Sequence, residues 1–112
     1  MIPDIPQLRP FDVVALNGLL TITIRKEFDF GSLHQDWAHT VITLHPGPYA
    51  QVRLDMALCG LVSSTFFAGV MQLHFHYTAS GSAPITLDRP DPRVVRNLQA
   101  MRMQDFFVIV PR

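Results

Sequence analysis

At 112 residues, with 48% hydrophobic and 16% charged positions, the chain is too apolar for disorder and long enough for one domain around one core. Nine basic residues balance nine acidic ones, so the sequence lacks the positive footprint of a nucleic-acid binder and has no electrostatic drive toward anionic membranes. Protein partners or small ligands are the expected alternatives, and the lone Cys59 excludes an internal disulfide or a CxxC site.

Residues 1–10 carry no basic stretch followed by an apolar run, so they read as an N-terminal extension rather than a signal peptide or anchor, with residues 11–112 as a single domain. Phe11-Asp12-Val13-Val14-Ala15-Leu16 and Leu19-Leu20-Thr21-Ile22-Thr23-Ile24 flank Asn17-Gly18, a dipeptide that supplies the positive φ angles of a two-residue hairpin turn. From Ser32 to Leu44, Leu33, Trp37, Val41 and Leu44 recur near helical spacing, although Thr40 to Thr43 are β-branched and lower the propensity. Trp37 with Phe28 and Phe30 reads as core around this helix. Pro46-Gly47-Pro48 ends it, and Tyr49 to Met56 reads as a strand of the sheet interior.

Residues 56–87 contain no Asp, Glu, Lys or Arg, yet Gly60, Ser63, Ser64 and Thr65 interrupt them and Gln72, His74 and His76 follow. The uninterrupted apolar stretch falls short of the roughly 20 residues a membrane span needs, so a buried strand and a buried helix are expected, with no direct membrane insertion and a cytoplasmic location. That helix runs from Ser64 to Thr78, with Phe66, Phe67, Val70, Met71, His74, Phe75 and Thr78 on its inward face. Ile85-Thr86-Leu87 is a short strand. Asp91-Pro92 then opens a third helix, the carboxylate as N-cap acceptor and the proline pre-set for the first turn. Val94, Val95, Leu98 and Met101 share one face of it, while Arg93, Arg96 and Arg102 form a solvated face that would also suit an acidic partner. Phe106 to Val110 is the last strand.

The order ββαβαβαβ predicts an α/β fold: a mixed sheet of about five strands, one antiparallel hairpin followed by parallel crossovers, with helices mainly on one face. No Gly-rich phosphate loop, His-Glu-x-x-His or Gly-x-Ser-x-Gly is present, so neither catalysis, cofactor nor metal is expected. His74 and His76, two apart, point to different faces of their helix. His34, Asp36 and His76 remain the only acid–base candidates for an enzyme, and no spacing unites them. Cys59, among apolar neighbours, reads as a buried thiol.

Leu54-Asp55-Met56 followed by Ser63-Ser64-Thr65-Phe66-Phe67-Ala68 resembles the STAS domain, shared by anti-sigma-factor antagonists and the cytoplasmic ends of anion transporters. In that family a Leu-Asp-Leu strand leads, after some six residues, to Asp-Ser-Ser-Gly-Leu-Gly or Asp-Ser-Thr-Phe-Leu-Gly at the start of the second helix. Glu27-Phe28-Asp29 is similar to its Gly-x-Leu-Asp, and Leu87 to Leu98 to its strand-to-helix junction; the likeness spans about residues 11 to 110.

The resemblance implies a non-catalytic regulatory protein. Its partner would be a regulatory kinase or an anti-sigma-like protein, and Ser63, Ser64, Thr65, Phe66 and Phe67 would form the docking surface. Thr65 matches the hydroxyl phosphorylated in switching members and Ser64 the residue before it. A phosphate there would meet the free N–H groups of a helix start, while its charge would repel an acidic partner surface. Ser63 stands where such members carry aspartate and Ala68 where they carry glycine, and Arg112 directly follows the last strand, where the family has a terminal helix. Those departures suit an alternative, a constitutive STAS subunit of a transport ATPase complex without phosphorylation, and leave apolar surface for a partner or a second copy. Read without the resemblance, Ser63-Ser64-Thr65 is a helix N-cap worth about 1 kcal/mol.

Overall fold

The computed structural model describes residues 11–25, 36–60, 62 and 64–112. Strands β1 (Phe11–Leu16) and β2 (Leu19–Ile24) pair antiparallel around the expected turn. Asn17 and Gly18 both take left-handed backbone angles, φ 52° and 79°, which match the twist of the flanking strands. The Gly18 carbonyl then accepts from Ala50 N at 2.9 Å and Gln51 N at 3.2 Å. The hairpin turn thereby docks the first residues of β3 (Gln51–Asp55).

β2 pairs parallel with β3, β3 with β4 (Thr86–Asp88), and β4 with β5 (Val108–Val110), giving the sheet order β1-β2-β3-β4-β5. The parallel crossovers contain α1 (Trp37–Leu44), α2 (Ser64–Ala79) and α3 (Pro92–Ala100). Strand alternation and register place one row of side chains together: Val13, Ile22, Leu54 and Leu87 lie side by side across the sheet. Ile22 and Leu54 are fully buried and Leu87 nearly so, in one cluster with Trp37, Val41, Phe66, Leu73, Val94 and Leu98 from the helices. Each such side chain contributes about 1.5–3 kcal/mol of burial, so helices and sheet stabilise one another through a single face.

The other face is polar and charged, running from exposed Val14 on β1 to buried Thr86 and Asp88 on β4. Asp12, Thr23, Asp55 and Asp88 line up across it, with Val14, Thr21, Arg53, Thr86 and Val108 in the next row. Arg53 pairs with Asp88, Arg89 reaches both Asp88 and Asp55 at 3.3 Å, and Arg25 pairs with Asp12 at 2.9 Å. Burial alone would raise the Asp88 pKa, but the hydrogen bonds and charges of Arg53 and Arg89 outweigh it and hold the carboxyl below its ordinary value.

Three expectations shift. The first helix is seen over Trp37–Leu44; residues 26–35, with Phe28, Phe30, Ser32, Leu33 and His34, lie outside the described residues. Its β-branched residues stay helical because Trp37, Ala38 and Val41 bury against the core, and tertiary packing overrides propensity. α2 is rotated relative to the expected face: Leu73 and Tyr77 turn inward, while Phe75 is 62% exposed and His74, Met71 and Thr78 are half-buried. The set Phe66, Val70, Leu73 and Tyr77 is equally a helical stripe, and the Tyr77 hydroxyl secures it by donating to the His45 carbonyl at 2.6 Å. The last strand begins at Val108 rather than Phe106, because Gln104–Phe106 form a 3-10 turn.

Candidate functional site

In an open sheet with parallel strands, ligands meet the loops at the carboxyl ends of the strands. Here the chain segments after β3, β4 and β5 converge there. The Asp55 carboxylate accepts from Ala57 N at 3.1 Å, Met56 N donates to the Asp88 carbonyl at 2.9 Å, and Cys59 N closes a turn onto the Met56 carbonyl at 3.1 Å. Arg112 locks the assembly. Its Nη2 donates to the carbonyls of Cys59 at 2.8 Å, Met56 at 3.3 Å and Ala57 at 3.4 Å, and its Nε to Arg89 at 3.0 Å. One guanidinium thus satisfies carbonyls that no strand or helix bonds. Sequence reasoning missed this residue, because nothing local distinguishes an arginine that caps a distant loop.

That loop leads into α2. Ser64 is its first residue and is exposed, Thr65 is half-buried, and Ser63 lies outside the described residues. Phe66 and Phe67 face inward, as the helical spacing predicts: they are only 1% and 7% exposed. Phe66 stacks on Trp37, with ring centroids 5.5 Å apart and planes 7° apart, and Phe67 packs edge-on to Phe66 at 5.8 Å. A methyl group on Gly69 would come within 2.3 Å of the Trp37 Nε1, so this glycine is needed for Trp37 to lie against the helix. The two phenylalanines are therefore anchors that hold the hydroxyls in place.

The first turn of α2 carries no acidic side chain. An α-helix leaves its first four N–H groups without partners inside the helix, and the partial positive charge there favours an added anion. Ser64 and Thr65 sit where a covalent phosphate would gain from both. The start of α3 is already filled: the Asp91 carboxylate accepts from Arg93 N at 2.9 Å and from the Arg93 guanidinium at 2.9 and 3.1 Å. The hydrogen bonds from the Arg93 side chain and backbone hold the Asp91 carboxyl well below the usual carboxylate range.

Burial pushes the Cys59 thiol up to about 11, and at 3% exposure it is protonated and shielded at neutral pH. His74 lies among Phe75, Phe106 and Phe107, whereas His76 Nε2 meets the Pro46 carbonyl at 2.9 Å, so the two histidines do face apart. Among the described residues no group of three His, Cys, Asp or Glu is placed to hold a metal ion. Nor is any described helix long and apolar enough to cross a membrane.

A mixed five-stranded sheet in chain order, with its helices buried against one face, is an α/β architecture of the STAS-like fold. A Thermotoga maritima protein assigned as an anti-sigma factor antagonist superposes with a TM-score of 0.76 at 16% identity, over 91% of this chain and 86% of that one. A solution NMR structure of the same protein gives 0.70 at 18% identity, over 90% and 80%. No family model and no curated relative matches the sequence. The chain therefore has the STAS fold, the expectation that its motifs raised.

Proposed function

We propose that this chain is a non-catalytic regulatory protein that works by binding another protein, in the manner of an anti-sigma-factor antagonist, with Thr65 or Ser64 as the phosphate acceptor that switches the binding. Residues 11–112 act as the single domain, in the cytoplasm, and residues 1–10 are an extension to it. The partner is a regulatory kinase or an anti-sigma-like protein. The observation that carries this reading is the rigidly anchored start of α2, where Ser64 is exposed, Thr65 half-buried and the first turn free of acidic side chains. The fold shared with an assigned anti-sigma factor antagonist supports it.

A phosphate adds roughly two negative charges. Backbone N–H groups accommodate them in the free protein, whereas a partner packed over Ser64 and Thr65 would bury them or meet them with like charge. The bound and modified states therefore exclude each other.

The test is affinity capture from the native host with wild type, Thr65→Ala and Thr65→Glu, followed by phosphopeptide mass spectrometry of the recovered chain. The reading expects a captured kinase or anti-sigma-like protein, phosphate at Thr65 or Ser64, and loss of the partner with Thr65→Glu. Capture of a transport ATPase by all three forms, with no phosphate on either residue, would establish the constitutive-subunit alternative instead.

A further inference from the structure

A cleft of about 380 Å³ opens beside the loop that precedes α2, between α3 and the segment after β5. Pro90, Pro92 and Pro111 line it, with Val95 from α3 adding a half-buried apolar side. Prolines have no N–H to offer and fixed φ angles, so this cleft is preformed and takes an occupant by apolar contact rather than by strand pairing. Its volume lies at the small end of ligand pockets, which suits one large apolar side chain and its neighbours.

The polar lining has one sign. Arg96 and Gln99, three apart and hence on the same face of α3, contribute a cation and an amide, and Arg112 adds a second cation. No acidic residue lines the cleft, and the adjacent Asp91 is committed to Arg93. Arg96 makes no ion pair with another described residue, so its charge is available at the rim. Arg112 joins the cleft to the candidate site, since the same guanidinium holds the carbonyls of Met56, Ala57 and Cys59. An occupant of the cleft thus lies against the side chain that closes the Met56 to Cys59 turn.

We infer that the cleft receives an acidic, apolar-anchored peptide segment of the partner protein: one leucine or phenylalanine between the prolines, with a flanking Asp or Glu on Arg96. The inference rests on the partner-binding reading above and specifies the partner's chemistry. Apolar burial supplies the anchor, and the charge pair supplies selection against basic segments.

The test is fluorescence anisotropy of the full chain with a labelled Asp-Glu-Leu-Phe-Glu-Asp peptide and its Lys-substituted counterpart. Saturable binding of the acidic peptide alone is expected, weakened about tenfold or more by Arg96→Glu and by Gln99→Trp, which fills the cleft. Both positions are exposed, and an unchanged melting temperature confirms that each variant folds. Equal binding of the two peptides, no saturable binding, or an affinity indifferent to Arg96→Glu overturns the inference. So does occupation by laurate alone, or by a second copy seen in sedimentation. Thr65→Glu separates the two ideas: peptide failure with intact Thr65-dependent capture removes only the cleft, whereas Arg96-dependent peptide binding with no Thr65-dependent partner removes only the switch.

Discussion

The helices α2 and α3 start at the same end of the sheet, yet their first turns have opposite electrostatics. α3 opens on Asp91, whose carboxylate caps a backbone N–H and pairs with Arg93, so its positive pole is neutralised. α2 opens on neutral hydroxyls with no acid in its first turn, held down instead by Phe66 and Phe67 in the core. One start is completed by fixed charge and serves stability. The other is anchored by packing, with no acidic side chain in its first turn.

The largest effect should come from removing the packing on which α2 depends. Phe66→Ala opens a cavity against Trp37 and should cost about 3–5 kcal/mol, read as a fall in the denaturation midpoint. A value under 1 kcal/mol would mean that α2 is held by something other than this stack. Gly69→Ala forces a methyl group into Trp37 and should cost about 1–3 kcal/mol; a stabilised variant, the usual result of Gly→Ala in a helix, would contradict the close approach.

Smaller effects sharpen the contrast in charge. The folded Asp91 carboxyl titrates below its unfolded value of about 3.9, so its stabilisation is complete above about pH 4 and is lost as pH falls through the folded pKa. Wild type should therefore be more stable than Asp91→Asn by a constant margin from about pH 8 to 5, and the margin should shrink on further acidification. Thr65→Glu should change stability by no more than about 0.5 kcal/mol, since the new carboxylate enters a first turn that carries no acidic side chain; a large loss would show that Thr65 is structural. Arg112→Ala should leave the midpoint nearly unchanged while hydrogen exchange at the Cys59 amide quickens. Unaltered exchange there would show that the loop does not need its clamp.

The fold was legible where short-range chemistry decides it. Asn17-Gly18 gave the hairpin, Asp91-Pro92 the start of α3, and the run from Tyr49 to Met56 the strand that is β3. α2 was harder, because Phe75 and Leu73 are both apolar and periodicity accepts either stripe; the choice falls to Tyr77 reaching the His45 carbonyl, a contact 32 residues away in sequence. The hydroxyls of the candidate site were visible as a motif and the inward turn of Phe66 and Phe67 as helical spacing, whereas the stacking of Trp37 on Phe66 was not, because it joins two helices far apart in sequence. Arg112 carried no signal, because its partners are backbone carbonyls, which every sequence contains.

The order β1-β2-β3-β4-β5 in space is the order of the strands along the chain. Each strand finds its neighbour already in place, so no pairing has to wait for a distant segment, and the loop-closure cost at each step stays local. During synthesis the hairpin can form first, with the Gly18 carbonyl waiting to receive the amides of Ala50 and Gln51 as they emerge. The cleft lined by α3, Pro111 and Arg112 takes shape only after β5 has joined β4, so it is a late product of assembly where the hairpin is an early one.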